Sequence, residues 1–244
     1  MLIELPEHDA RDLEAWRRLE RADPIMARSS RHLRRVERSK RALADFVAKD
    51  SSGYCGVSWG KDSVVVAHLV VELARSGGPV IPLVWVRVEP AANPHCHLVR
   101  DAFLSAHAHP YDEIVTGLDP SLAGHNARRT RNGFEEAARR YGDRHISGVR
   151  ASESTAREKR CAAHGESTKR TCAPLAWWDS DDVYAYLYAH GLPVHPAYAM
   201  SLGGKLDRGR LRVSSIGGER GTGMGRREWE ARYYPGKMRE LGLL

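Results

Sequence analysis

No stretch of this 244-residue chain is apolar for long enough to cross a bilayer. The most apolar helical run, Val64 to Val71, is eight residues long and is interrupted by His68, whereas a span needs about 20 residues. The N-terminus, Met1-Leu2-Ile3-Glu4-Leu5-Pro6-Glu7, has neither the basic nor the apolar region of a secretory signal, so the chain is expected in the cytoplasm, away from membranes. Cysteine is scarce. Four residues, at 55, 96, 161 and 172, with no CxxC pair, exclude a disulfide scaffold and read as reduced thiols. Apolar residues, by contrast, make up 42% of the chain against 28% charged. That is enough for a substantial core and excludes disorder for most of the chain, in one large or two small domains.

The formal net charge is +7, and its distribution is uneven. Residues 28–49, 125–170 and 205–244 carry +6, +6 and +5, while 1–27, 50–124 and 171–204 carry −3, −4 and −3. If the basic blocks converge in the fold, they form a surface suited to a polyanion such as a nucleotide or nucleic acid. If they do not, they are ordinary solvated arginine.

The periodicity predicts helices over 9–22 and 28–49, the second with Leu33, Val36, Leu43, Phe46 and Val47 on one face and Arg31, Arg34, Arg35, Arg38 and Arg41 around the other. Residues 1–50 thus read as a helical arm. From Tyr54 the texture changes to a strand (54–57), a loop, a helix (63–75) closed by Gly77-Gly78, and a β-branched strand (80–88). Weaker repeats follow: a helix at 97–108, a strand at 113–116, a helix at 133–141 and a strand at 145–149. Alternating strands and helices predict an α/β fold with an open, mainly parallel sheet and helices on both faces. Beyond 150 one clear helix stands out, capped by Asp179 or Ser180, with Val183, Tyr184 and Leu187 as its stripe and Gly191 and Pro193 as its stop. The Gly- and Arg-rich segment 201–244 reads as an irregular tail packed on a nucleotide-binding domain of 51–200.

The segment Ser58-Trp59-Gly60-Lys61-Asp62-Ser63 occupies the place where open α/β sheets bind ligands, at the carboxyl end of the first strand and the start of a helix. Gly60 lets the backbone approach an anion, the helix N-terminus points at it, Lys61 adds a full charge, and Ser58 and Ser63 add hydroxyls. It is not a Walker loop, because Asp62 follows the lysine. A carboxylate in a phosphate cradle would repel the ligand unless it served a cation, and Mg²⁺ between Asp62 and phosphate oxygens resolves this.

SWGKDS after a strand resembles the SGGKDS signature of the PP-loop, or N-type, ATP pyrophosphatases, with Trp59 in place of the first glycine. That superfamily contains phosphoadenosine phosphosulfate (PAPS) reductases, ATP sulfurylase small subunits, tRNA thiolation enzymes and DNA phosphorothioation enzymes. A tryptophan there requires that the position not need positive φ, and its ring is then free to pack on a base or seal the loop. Gly148-Val149-Arg150-Ala151-Ser152-Glu153-Ser154-Thr155-Ala156-Arg157 resembles a second segment of PAPS reductase-like proteins. There the resemblance implies close backbone approach at Gly148 and oxyanion contacts from Arg150 and Arg157. Pro174 to Tyr186 resembles a third, and the three together cover roughly residues 53–200.

The reductases carry a nucleophilic cysteine in an E-C-G-[IL]-H tail, which these residues lack, and no iron–sulfur cluster is expected without the Cys-Cys and CxxC pattern. The resemblance is nearest to the DNA phosphorothioation ATP pyrophosphatases. It implies ATP and Mg²⁺ as cofactors and cleavage to AMP and pyrophosphate to adenylylate an acceptor, DNA backbone phosphate being the expected one, for sulfur insertion. Lys61, Asp62 and Arg150 are the expected catalytic residues. Ser58, Trp59, Gly60, Ser63, Trp85, Gly148 and Arg157 join Lys61 and Arg150 in binding nucleotide, with the backbone of Trp85 to Arg87 facing adenine. Cys161 and Cys172, near Arg160, Lys169 and Arg170, are candidate sulfur carriers with thiolate character. Expected partners are ATP, DNA, a sulfur donor such as a cysteine desulfurase, and a second copy of the chain. The alternatives are a divergent PAPS reductase and a non-catalytic nucleotide-sensing, DNA-binding subunit.

Overall fold

The computed structural model describes residues 1–117, 126–217 and 225–244. An N-terminal arm of three helices, α1 (Ala10–Glu20), α2 (Asp23–Ala27) and α3 (Ser30–Lys49), precedes a sheet region built from β1 (Tyr54–Val57), α4 (Lys61–Arg75), β2 (Leu83–Glu89), α5 (Cys96–Ala106), β3 (Tyr111–Gly117), α6 (Asn126–Tyr141) and β4 (His145–Ile146). Then come α7 (Thr155–His164), β5 (Thr171–Cys172), α8 (Ser180–Ala189), α9 (Arg226–Tyr233) and α10 (Pro235–Glu240).

The five strands form one parallel sheet in the order β3-β2-β1-β4-β5. The chain winds outward from β1 through β2 to β3, then returns to place β4 on the other side of β1. The switch point therefore lies between β1 and β4, and open sheets bind ligands in the crevice at such a point. Helix α4 starts at that crevice and runs through the core, with Val64, Val65, Val66, Val70 and Val71 at most 1% exposed. A helix segment buried on all sides has to be covered on all sides, which explains the valines at 64–66, 70 and 71.

The arm docks through both polarity classes. Val36, Leu43, Phe46 and Val47 of α3 enter the core, while its arginine face meets acidic partners: Arg31 and Arg35 pair with Asp179, Arg35 also with Asp182, and Arg38 with Glu166. Asp179 is the residue that caps α8, accepting from the Asp182 amide at 3.0 Å, and Asp182 reciprocates. Burial pushes the Asp182 carboxyl up, but hydrogen bonds from His32 and Arg35 outweigh it and hold the group well below the usual range. Three arginines of the first basic block, Arg31, Arg35 and Arg38, are thus paired with acids of the fold.

Several elements differ from the sequence reading. β2 begins at Leu83 rather than Val80, since Pro82 has no N–H for the ladder and Val80 is 57% exposed. β5 is two residues long, too short for any alternation to register. α7 buries only Cys161 and so has no apolar stripe to read. Residues 201–217 are turns and bends without helix or strand, but α9 and α10 give order to the end of the tail. Trp229, Tyr234 and Met238 anchor them in the core, and the Trp229 indole N–H donates to the Met200 carbonyl at 2.6 Å. The glycine-rich stretch from Gly218 to Met224 lies outside the described residues. Among the described residues no helix is long and apolar enough to cross a membrane.

Candidate functional site

Where β1 ends at Val57, three residues turn the chain into α4. Gly60 is the N-cap, with extended backbone (φ −81°, ψ 167°), and the left-handed position belongs to Trp59, at φ +60°. The expectation that this position does not need positive φ is therefore corrected. A glycine suits it, and a tryptophan there is strained by about 1 kcal/mol or more. Its ring does not meet a base either: Trp59 is fully buried against Phe103 and Tyr111, with centroids 5.7 Å away in both cases. Large apolar burial offsets the backbone strain.

The charged groups converge on one carboxylate. Lys61 Nζ lies 2.9 Å from Asp62 Oδ2, and Arg150 Nε lies 2.7 Å from Asp62 Oδ1. Both cations are buried, Lys61 at 4% and Arg150 at 3% exposure, while the Asp62 side chain keeps 18%. Two cations against one anion leave net positive charge at the N-terminus of α4, where the helix dipole adds to it. The acidic residue that looked repulsive in a phosphate cradle is answered first by the protein's own cations.

Arg150 Nε and Asp62 Oδ1 are also buried atoms without an aligned hydrogen bond. Their contact is a charge contact, and what Asp62 offers a ligand is the 18% of its side chain that stays exposed. This fits Mg²⁺, which takes one or two carboxylates and completes its shell with substrate phosphates and water. Among the described residues no group of three His, Cys, Asp or Glu side chains gathers to hold a metal, so such a cation would arrive with the nucleotide.

The other expected residues divide. Ser63 Oγ accepts from the Ser58 amide at 3.2 Å and donates to the Gly60 carbonyl at 3.0 Å, so its hydroxyl closes the loop rather than facing phosphate. Gly148 does permit a close approach, but by α4 itself: a Cβ there would sit 2.8 Å from the Asp62 carbonyl carbon. Arg157 turns to Glu153, which also accepts from the Arg150 amide at 3.0 Å, and so stands one residue removed from Asp62. Trp85 is 2% exposed, its ring edge-on to His97. Its backbone is better placed, because β2 last pairs with β1 at Val57–Trp85 and continues to Glu89 alongside β3 alone.

The sulfur-carrier expectation is corrected. Cys161 is 1% exposed among Ala151, Ala173 and Ala176, and Cys172 is wholly buried. Burial pushes the Cys172 thiol up to about 11 despite nearby basic residues, the opposite of thiolate character. Desolvation outweighs the nearby positive charge of Arg144 and the hydrogen bond from Ser167.

Residues the sequence did not single out complete the surroundings. Arg150 Nη1 reaches Ser152 Oγ at 3.3 Å and Ser180 Oγ at 3.4 Å. Beyond Ser180 a cavity of about 180 Å³ opens, lined in part by Met26, Asp181, Tyr184 and Asp207. Its Arg208 is already paired with Asp23 at 2.5 Å, so three carboxylates face one engaged cation, and it is a poor place for phosphate. Tyr198, with its phenol on the Lys61 amide at 3.0 Å, supports the loop from behind.

Residues 126–224 match the phosphoadenosine phosphosulfate reductase domain family. The chain is 27% identical over 226 residues to sulfate adenylyltransferase subunit 2 of Rhodopseudomonas palustris, covering 77% of this chain and 68% of that protein. It is 30% identical over 98 residues to phosphoadenosine 5'-phosphosulfate reductase of Xanthomonas axonopodis pv. citri, covering 40% of this chain and 37% of the relative. The crystal structure of the PAPS reductase of Candida auris in complex with phosphate superposes with a TM-score of 0.48 at 13% identity, over 80% of this chain and 92% of that one.

Proposed function

We propose, from the match of residues 126–224 to the phosphoadenosine phosphosulfate reductase domain family, that this chain is a PAPS reductase-like PP-loop protein and carries out an ATP-dependent adenylyl transfer at the β1–α4 loop. The observation that carries the reading is the buried meeting of Lys61 and Arg150 on Asp62 at the N-terminus of α4. An acceptor oxygen attacks the α-phosphorus of ATP, the bond from that phosphorus to the bridging oxygen breaks, and pyrophosphate leaves with the electron pair. The protein's task is positioning and charge neutralisation. Lys61 and the α4 amides face the departing pyrophosphate, Arg150 stands on the β4 side to steady the α-phosphate or the acceptor, and the backbone of β2 past Trp85 offers hydrogen bonds to adenine. Asp62 holds both cations in place and would hold Mg²⁺, which would neutralise phosphate charge when bound.

The acceptor we propose is a DNA backbone phosphate, activated for sulfur insertion from a donor such as a cysteine desulfurase. The net charge of 125–170 and 205–244 supports it, while the pairing of Arg31, Arg35 and Arg38 within the fold removes much of the contribution of 28–49. Inorganic sulfate is the second reading, favoured by the likeness to sulfate adenylyltransferase subunit 2. A reductase is less well supported, because all four thiols are buried. The test is pyrophosphate release from ATP and Mg²⁺ with sulfate, or with DNA plus a sulfur donor, in turn. Release stimulated by DNA supports the first reading and release stimulated by sulfate the second. No release in any mixture, or equal release from Lys61→Ala, overturns adenylyl transfer.

A further inference from the structure

The turn 195–198 lies against the β1–α4 loop, touching its Lys61 end directly and its Ser58 end through Cys96. Lys61 is the first residue of α4, so its amide is one of the four that a helix leaves without an internal acceptor. Gly60, the N-cap, has no side chain to offer. The acceptor comes from 137 residues away: the phenol oxygen of Tyr198, 3.0 Å from the Lys61 nitrogen, with the Lys61 ammonium 5.4 Å from the centre of the same ring. Tyr198 is 3% exposed.

At the other end of the loop, the His195 Nδ1 accepts from the Ala197 amide at 3.1 Å, which puts the ring hydrogen on Nε2. That atom faces Cys96 Sγ at 3.7 Å, and the thiol in turn lies 3.5 Å from the Ser58 carbonyl, with the Ser214 carbonyl farther away at 3.9 Å. Both side chains are buried. Burial pushes the thiol up and, with His95 nearby, the imidazole down, so a neutral Nε2–H to S–H to O=C relay ends on the loop. Between the two anchors sits Trp59 with its positive φ, a conformation a tryptophan does not adopt without external support.

We propose that the His195–Tyr198 turn, together with Cys96, is a positioning element that holds the nucleotide loop in its phosphate-accepting shape, Tyr198 fixing the Lys61 end and Cys96 the Ser58 end. The inference rests on the reading of the loop as an ATP site and goes beyond it in naming what shapes that site. It does not make Tyr198 or Cys96 catalytic, since neither faces the reacting phosphorus in this account.

The test compares the dissociation constant of ATP with Mg²⁺, and the ATP-induced rise in melting temperature, for the wild type, Tyr198→Phe, Cys96→Ala and Cys96→Ser. Tyr198→Phe keeps the ring under Lys61 and removes one acceptor. It is expected to weaken ATP about five- to tenfold, the usual span for one hydrogen bond, with a smaller ATP-induced shift. Cys96→Ala is expected to weaken ATP about threefold, and Cys96→Ser, which keeps a donor, to return it to within about twofold of wild type. A purely structural role would lower the melting temperature without nucleotide and leave the dissociation constant alone. If Tyr198→Phe does not fold, the Cys96 pair decides. Wild-type binding of ATP with unchanged constants in the folded variants overturns this proposal alone; a wild type that does not bind ATP overturns the ATP-site reading as well.

Discussion

Two regions of the molecule handle arginine and lysine in opposite ways. On α3, Arg31, Arg35 and Arg38 meet Asp179, Asp182 and Glu166, three acids for three bases, and the arginine side chains keep 27–51% exposure. At the head of α4, Lys61 and Arg150 share the single carboxylate of Asp62 and are almost wholly buried. The α3 face has the larger count of positive charges, but the α4 site has the larger unbalanced field. Segment charge is therefore a poor guide to the local field: the balance at short range and the dielectric around it decide.

The contrast can be broken by substitution. Lys61→Ala is expected to lower the rate of pyrophosphate release by about 100-fold or more, measured at the same fixed ATP concentration as the wild type, with the fold intact by circular dichroism. Asp62→Ala leaves two buried cations facing each other and is expected to cost about 3 kcal/mol of folding stability, read from urea unfolding, in addition to lost activity. Arg38→Ala, at an exposed pair on α3, is expected to cost under about 1 kcal/mol and to leave ATP affinity unchanged. If Arg38→Ala weakens ATP as much as Lys61→Ala does, the contrast between the two regions fails.

A pH titration sharpens the α3 side. Hydrogen bonding from Arg38 outweighs burial and, with help from Trp177, lowers the Glu166 carboxyl to about 2 from an ordinary 4.5. A carboxyl depressed on folding contributes stability above its unfolded value and loses it as the pH falls through the folded one. The stability difference between wild type and Glu166→Gln should therefore be present at pH 6 and close between about pH 4.5 and 2. A difference that persists unchanged at pH 2 would mean that the Arg38–Glu166 pair is not what Glu166 contributes.

The parts of this picture that local pattern encodes were readable from the sequence. The strand–loop–helix around Ser58 to Ser63, the valine run of α4 and the Asp179 cap follow from spacing, the choice of Lys61, Asp62 and Arg150 comes from the loop and the resemblance, and the structure brings those three charges together. What was not readable depends on distant chain. Tyr198 and Cys96 reach the loop from separate, distant segments, the turn after α8 and the start of α5. The backbone angle of Trp59 is set by tertiary packing against Phe103 and Tyr111, not by its neighbours. The burial of Cys172 inverts what its basic flanks suggested, since desolvation outweighs nearby positive charge, and Cys161 is enclosed as well. The short β5 and the polar α7, α9 and α10 carry too little periodicity to announce themselves.

The central claim, that the Lys61–Asp62–Arg150 cluster at the head of α4 is the ATP site, is tested most directly by the thermal shift of wild type and Lys61→Ala with Mg²⁺ and rising ATP. A ligand at 100 times its dissociation constant adds about 2.7 kcal/mol to stability. The account predicts a melting temperature that climbs with ATP in the wild type and stays nearly flat in Lys61→Ala. Equal shifts in the two proteins, or none in the wild type, would contradict it.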